Sequence, residues 1–171
     1  WGARPEALAF VERPPAGALA QAHAVLAALG AIDQDGRLTA RGRAMVGLPL
    51  HPRLAAMAVV GADRGLGWTA AVVAALLEER DVFRGRIEER PADLAERAAL
   101  VGGDGDRAGS IDRNALRSAR RSAQQIARRL GVKRGEVRHD DVGPLVAVAF
   151  PERIAQAQGS AGGFRMRGGG G

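Results

Sequence analysis

Aromatic residues make up only 4% of this 171-residue chain and tyrosine is absent, although apolar residues overall reach 46%. A core built from such a sequence must consist mainly of Ala, Leu and Val. Small side chains of this kind suit closely packed helices, whereas β-sandwiches and barrels depend on aromatic and β-branched residues. We therefore expect a mainly α-helical protein of one or two compact domains.

The residue content also excludes several kinds of chemistry. The chain has no cysteine, so disulfides, zinc-thiolate sites, iron–sulfur clusters and cysteine nucleophiles are not available to it. It has neither an apolar run of about 18 residues nor a basic-then-apolar leader, which predicts a cytoplasmic location without membrane contact. Because the sequence starts at Trp1, we expect it to be a section of a longer polypeptide.

Residues 16–66 carry the element order of a winged-helix domain, after an irregular lead-in over residues 1–15. A first helical pattern is followed by Ile32–Leu38, which contains the Asp-Gly turn of a small hairpin. Thr39 is then placed to cap a short helix, and Pro52 to begin the next one. Helix, small β-wing, helix, helix is the order that such a domain requires.

A helical bundle is predicted for residues 67–158. The helix that starts near Gly67 is apolar on most of its surface, which is typical of a central, buried helix. A shorter helix is predicted over Pro91–Val101, and the longest helix spans about Asp112–Leu130. Residues 102–110 are rich in Gly and Asp and are predicted to form a mobile loop, and residues 159–171 a glycine-rich linker to a further domain.

No motif for nucleotide, metal or catalytic chemistry is found. Nothing matches the phosphate-binding Gly-x4-Gly-Lys-Ser/Thr loop, so we expect no cofactor within this segment. The run Asp104–Asp112 resembles half of an EF-hand loop but lacks two oxygen ligands, at Ala108 and Ala115, which favours a solvated loop that caps the next helix. His139-Asp140-Asp141 opens a last helix, which we expect Asp140 to cap.

Arginines on the predicted 112–130 helix are the main functional signal. At 100° per residue, the apolar residues fall on one side and the arginines crowd into an arc of roughly 100° opposite them. Successive turns rise about 5.4 Å, which is on the scale of backbone phosphate spacing and predicts single-strand binding without base preference. The formal net charge of +6 suits the same polyanionic partner. The predicted nucleic-acid-binding residues are Arg113, Arg117, Arg120, Arg121 and Arg128.

Two alternatives stay open on the residues alone. Lys133 is the only lysine, so codon bias in a GC-rich genome also explains an arginine face, and the chain would then be a scaffold or docking module. A free-standing winged-helix regulator of duplex DNA is the other alternative, with Arg41 and Arg43 on the short helix offered to base edges in the major groove.

Longer stretches of the sequence resemble a known family. Three stretches resemble the helicase-associated region of DEAH-box helicases: Ala28–Asp33, Gly36–Met45 and Leu48–Met57. The last of them contains Leu-Pro-Leu-x-Pro-Arg-Leu. Two further stretches are similar to the bacterial HrpB-type ATP-dependent members of that family: Ala74–Asp81 and Ala149–Gln156. The resemblance covers nearly the whole chain.

This resemblance implies a winged-helix domain followed by a helical ratchet domain. In the family these domains brace two RecA-like motor domains and form one wall of the channel for single-stranded RNA or DNA. ATP and Mg are bound by the RecA-like domains, so none of the family's catalytic residues has a counterpart here. Arg53 is expected to make a fold-locking or interdomain ion pair.

Overall fold

The computed structural model describes residues 8–103, 110–158 and 163–166. The described residues are mainly helical, with single 3-10 turns at residues 87–89, 139–141 and 151–153. Two short strands, β1 and β2, pair as an antiparallel hairpin. This architecture confirms the predicted fold class. The elements are α1 Ala16–Ala28, α2 Ala40–Val46, α3 Pro52–Asp63, α4 Gly67–Glu78, α5 Leu94–Gly102, α6 Arg113–Leu130, α7 Val142–Ala149, β1 Ala155–Gln158 and β2 Gly163–Met166.

The predicted helix boundaries are set by short polar side chains and by proline. Thr39 caps α2, because its hydroxyl accepts a 2.9 Å hydrogen bond from the Gly42 N–H. Asp112 caps α6 in the same way, accepting from the N–H groups of Asn114 and Ala115. Pro52 occupies the first turn of α3, where its missing N–H costs nothing.

The predicted wing is a tight turn closed by one antiparallel bridge, between Ile32 and Leu38. Gly36 adopts φ +76°, which the turn requires and which glycine adopts without steric cost. Gly42 of α2 lies so close to the base of this turn that an added Cβ would stand 2.0 Å from the Ala31 carbonyl oxygen. The wing and α2 are therefore packed as one unit.

Two apolar clusters share α3. Leu54 and Met57 belong to the larger cluster, which also contains the buried residues of α4 and α6. Ala55, Ala58 and Val59, on the other side of α3, pack with the residues around the wing and α2. The predicted division into 16–66 and 67–158 thus has one helix contributing to both cores, and as a domain boundary it stays a prediction.

The centre of the bundle is α4. Every residue from Gly67 to Ala75 is buried, as predicted for a helix apolar on most of its surface. α6 packs against α4 and buries Ala119, Ala123 and Ile126. Because alanine side chains are short, the two helix axes can approach closely, and this holds α6 firmly with its opposite side in solvent.

Three expectations about local structure are wrong. Asp140 does not cap the last helix: α7 begins at Val142 without a side-chain cap, and the neighbouring Asp141 is paired with Arg138 at 2.9 Å. α5 begins at Leu94 and not at residue 91, because Asp93 caps it. The end of the chain also differs, since β1 falls in the range predicted as helical bundle and β2 in the predicted linker, and the two form a hairpin whose side chains are all exposed.

Parts of the predicted lead-in, mobile loop and linker lie outside the described residues, namely 1–7, 104–109, 159–162 and 167–171. Asp104 and Asp106 of the EF-hand-like run are among them. In the described part of the chain, no helix is long and apolar enough to cross a membrane.

Candidate nucleic-acid interface

The candidate interface is the solvent side of α6. Asp112 starts this helix and Gly131, at φ +69°, ends it, within a residue of the predicted span. Its packed side is made of small and branched apolar residues, and its solvent side of arginine and glutamine. Four of the five predicted binding residues are exposed there, and we call them the outer arginines: Arg113, Arg117, Arg121 and Arg128.

Arg120, the fifth predicted residue, is placed differently. It is partly buried, and its guanidinium donates to the carbonyl oxygens of Leu100 and Val101, at 2.9 Å and 3.2 Å, at the end of α5. Cationic donors satisfy the open carbonyls of a helix C-terminus and complement its partial negative charge. Arg120 therefore stabilises the junction of α5 and α6 in addition to any role in binding.

The arginines of α6 have no acidic partners in the described structure. The helix carries six arginines and no acidic residue, and none of the six forms a salt bridge with a described residue. Arg117 donates to the neighbouring Asn114 side chain, and Arg129 to the Gly47 carbonyl oxygen at 3.0 Å. Within the part of the chain that the structure describes, the solvent side of α6 is thus a run of positive charge without acidic partners.

Arginines elsewhere in the bundle are used differently, most clearly around Asp81. The carboxylate of Asp81 accepts from Arg97 at 2.6 Å, from Arg90 at 2.9 Å and from the Phe83 N–H at 3.0 Å. Burial raises the pKa of Asp81, but these hydrogen bonds outweigh it and hold the pKa below its ordinary value. We call Asp81, Arg90 and Arg97 the Asp81 cluster.

Arg53 confirms the expected fold-locking ion pair. Its guanidinium donates to the Ala149 carbonyl oxygen at 2.7 Å and pairs with Glu152 at 3.1 Å. It also stands 5.6 Å from the centre of the Phe150 ring, within cation–π range. Arg53 belongs to α3, so it joins the winged-helix part of the chain to the end of α7.

The arginines of the duplex-reading alternative both bond to their own local structure. Arg41 donates to the Leu29 carbonyl oxygen at 3.3 Å and Arg43 to the Leu38 carbonyl oxygen at 2.9 Å. Both side chains are exposed on α2, which is seven residues long. Both guanidinium groups are thus hydrogen-bonded to backbone carbonyls at the base of the wing.

A cavity of about 290 Å³ opens at the edge of the α6 arginines, and we call it the α6 cavity. Arg134, which follows α6, donates to the Gly102 carbonyl oxygen at 2.8 Å and lies 5.8 Å from the centre of the Trp68 ring. Neither Arg134 nor Trp68 was predicted as a site residue, because Arg134 lies in irregular chain and Trp68 belongs to an apolar helix pattern. The cavity is lined by Trp68, Val101, Gly103, Arg120, Gln124 and Arg134.

In the described residues, no three His, Cys, Asp or Glu side chains come together. Asp112 of the EF-hand-like run is engaged as the cap of α6 and pairs with Arg84 at 3.1 Å. The hydrogen bonds from Arg84 and from the Ala115 and Asn114 N–H groups hold the pKa of Asp112 below its ordinary value.

Comparison with known proteins points to a helicase-associated region. Residues 22–50 match the model of the winged-helix helicase associated domain (HA2). These residues run from within α1, through the wing and α2, to the segment before α3.

Comparisons over nearly the whole chain find similarity to HrpB. The chain is 34% identical over 170 residues to the ATP-dependent RNA helicase HrpB of Escherichia coli K12, covering 99% of this chain and 18% of that protein. The crystal structure of the E. coli DEAH/RHA helicase HrpB matches with a TM-score of 0.76 at 32% identity, covering 99% of this chain and 19% of that one. A crystal structure of the E. coli DExH-box NTPase HrpB matches with a TM-score of 0.71 at 33% identity, covering 97% and 18%.

Nearly the whole chain is therefore similar to one region of HrpB, which confirms the resemblance to the helicase-associated region of HrpB-type DEAH-box helicases found in the sequence. The chain spans about a fifth of the length of the relatives that it matches.

Proposed function

We propose that this region holds one strand of RNA or DNA by its sugar-phosphate backbone and braces the RecA-like motor domains of the same polypeptide. Strand binding would be carried by the outer arginines of α6. The motor domains would bind ATP and Mg and supply the energy for movement. The region itself performs no chemistry in this account and serves as one wall of the strand channel.

The single observation that carries the strand-binding proposal is the positive charge of α6, which no described acidic residue pairs. Four exposed arginines lie on one side of a helix without an acidic residue. Guanidinium groups suit phosphate oxygens because their planar N–H groups can donate in pairs. Few aromatic side chains are available for base stacking, so the expected contacts are with the backbone and carry little base preference.

The bracing role is supported by α1. This helix has the sequence AGALAQAHAVLAA, yet none of its residues is buried in the described structure. Phe10, 43% exposed, and Leu19 line a surface cavity of about 360 Å³ beside it. An apolar helix surface left open in one region of a polypeptide is typical of a contact with another domain. The family resemblance makes a RecA-like domain the expected partner.

Strand binding can be tested by fluorescence anisotropy with a labelled homopolymeric oligonucleotide of about 12 nucleotides, as DNA and as RNA. The test variant replaces the four outer arginines with glutamine: Arg113→Gln, Arg117→Gln, Arg121→Gln and Arg128→Gln. We expect its affinity for the strand to fall about 100-fold at low salt.

The matched control removes four exposed arginines that lie outside α6, so that the net charge changes equally: Arg37→Gln, Arg64→Gln, Arg80→Gln and Arg86→Gln. It should bind within about threefold of the parent chain. Equal losses of affinity in the two variants would mean that strand binding depends only on the net charge of the chain. Tighter binding of a defined duplex than of single strands would instead support the duplex-reading alternative.

A further inference from the structure

The α6 cavity has the composition of an oxyanion site. Its lining contains two guanidinium groups, from Arg120 and Arg134, together with the Gln124 amide and the Trp68 indole, and none of the described lining residues is acidic. The cavity volume of about 290 Å³ is at the lower end of the range for small-ligand pockets. A site of this size suits a phosphate group with its sugar better than a larger ligand.

The two guanidinium groups are held in place by the end of α5. Arg120 donates to the carbonyl oxygens of Leu100 and Val101, and Arg134 to that of Gly102. A helix C-terminus carries about half a negative charge, so two full positive charges leave the site clearly cationic. Each guanidinium has five N–H donors, and these bonds use two from Arg120 and one from Arg134, which leaves donors for a ligand.

Trp68 supplies an independent sign that a polar partner is missing. Its indole Nε1–H is buried and is the one side-chain polar atom in the described structure that is buried without a hydrogen-bond partner. The side chain is only 7% exposed. An unpaired buried donor is costly, and most such groups are paired in folded proteins. A ligand oxygen within reach of Nε1 would supply the acceptor.

The cavity is continuous with the outer arginines. Gln124 is exposed at the mouth. On a helix, residues three and four positions apart are surface neighbours, which places Gln124 beside Arg120 and also beside Arg121 and Arg128. A strand lying on the outer arginines would therefore pass the mouth of the cavity.

We propose that the α6 cavity is a phosphate-binding site, formed by Arg120, Arg134, Gln124 and Trp68, that takes one backbone phosphate of the bound strand. The inference rests on the proposed function and makes it more specific. The outer arginines hold the strand along α6, and the cavity fixes its position at one phosphate.

The experiment uses Trp68 as the reporter. The chain has two tryptophans, so Trp1→Phe leaves Trp68 as the only one and serves as the parent for all measurements. The single-stranded oligonucleotide and inorganic pyrophosphate are titrated separately while the emission of Trp68 is recorded. We expect both ligands to change the emission, and pyrophosphate to compete with the strand.

Two variants test the site and one controls for charge. Arg134→Gln removes a donor group, and Gln124→Glu places a carboxylate at the exposed mouth, where it disturbs no described hydrogen bond. Arg37→Gln, on the wing, removes an equally positive but remote side chain, 78% exposed. We expect the strand dissociation constant to rise at least about fivefold in the first two and to change less than about twofold in the control.

The outcomes separate this inference from the proposed function. If the strand binds but the emission is unchanged, and Gln124→Glu binds like the control, the cavity is not a phosphate site and strand binding by α6 stands. If the strand does not bind, but pyrophosphate changes the emission and Gln124→Glu abolishes that change, the site takes free phosphate and the proposed function fails. No response to either ligand overturns both.

Discussion

The Asp81 cluster and the outer arginines use the same side chain for opposite purposes. Arg90 and Arg97 converge on one carboxylate, and Arg97 also lies 5.5 Å from the centre of the Phe83 ring. The outer arginines form no ion pair with any described residue and project into solvent from a helix without acidic residues. In this chain, the function of an arginine depends on the tertiary position of carboxylates and carbonyls, and its sequence context alone does not decide it.

This comparison also limits the codon-bias explanation. A genome that favours arginine codons accounts for how many arginines a chain carries, but it does not determine which of them meet acidic groups. Four arginines outside α6 are paired with carboxylates: Arg53, Arg84, Arg90 and Arg97. The six arginines of α6 are the largest group on one element, and they remain without such partners in the described structure.

The largest expected effect is on the Asp81 cluster. Asp81→Asn removes a charge that accepts three hydrogen bonds, and hydrogen bonds to charged groups contribute about 1.5 to 3 kcal/mol each. Because the side chain is partly exposed, we expect the free energy of unfolding to fall by about 2 kcal/mol in chemical denaturation. Strand affinity should be unchanged. An Asp81→Asn variant as stable as the parent chain would contradict the contrast between the Asp81 cluster and the outer arginines.

Lowering the pH should also remove the stability that the Asp81 carboxylate contributes. The pKa of Asp81 is lowered in the folded state, so its contribution is present above the ordinary pKa of about 3.9 and disappears as pH falls through the folded value. The difference in unfolding free energy between the parent and Asp81→Asn should therefore shrink as the pH falls from 5 towards 2. A difference independent of pH would mean that the carboxylate charge does not stabilise the cluster.

Arg53 should give a smaller loss of stability. Arg53→Ala removes the bond to the Ala149 carbonyl oxygen, the Glu152 pair and the contact with Phe150. We expect the unfolding free energy to fall by about 1 kcal/mol, because the Glu152 side chain is 46% exposed and solvent weakens the ion pair. Arg53→Lys keeps the charge but loses the planar donor group, and should recover only part of the loss. If Arg53→Lys were as stable as the parent chain, Arg53 would stabilise the fold through its charge alone.

Single outer arginines should contribute almost nothing to stability. Arg121 forms no hydrogen bond with the described residues, so Arg121→Gln should change the unfolding free energy by less than about 0.5 kcal/mol while weakening strand binding. Arg120→Gln serves as the contrast, because it leaves two carbonyls of α5 without their donor. If both variants lose the same stability, the distinction between outer and bonded arginines on α6 disappears.

Much of the fold was predictable because its signals are local. Gly36 in a turn, Thr39 as a cap, and Asp112 and Gly131 at the ends of α6 act within a few residues of their own position. The hairpin of β1 and β2 was missed because its strands, AQAQ and GFRM, lack β-branched residues and lie beside glycine-rich sequence.

The candidate site was predictable only in part, for the same reason. Helical periodicity identified the outer arginines, since 100° per residue depends on α6 alone. The bonds of Arg120 to α5 and of Arg134 to Gly102, at 20 and 32 residues' separation, depend on tertiary packing. The same holds for the α6 cavity, whose lining comes from three helices and the segment after α6.

The most direct test of the account is the salt dependence of strand binding by the parent chain and by the variant lacking the four outer arginines. For single strands, each phosphate contact contributes about 0.7 to the slope of log affinity against log salt. We predict that the slope of the variant is shallower by about 2.5 to 3, while the matched variant with four exposed arginines removed elsewhere keeps the parent slope. Equal slopes for the parent and the α6 variant would contradict the central claim that α6 holds the strand.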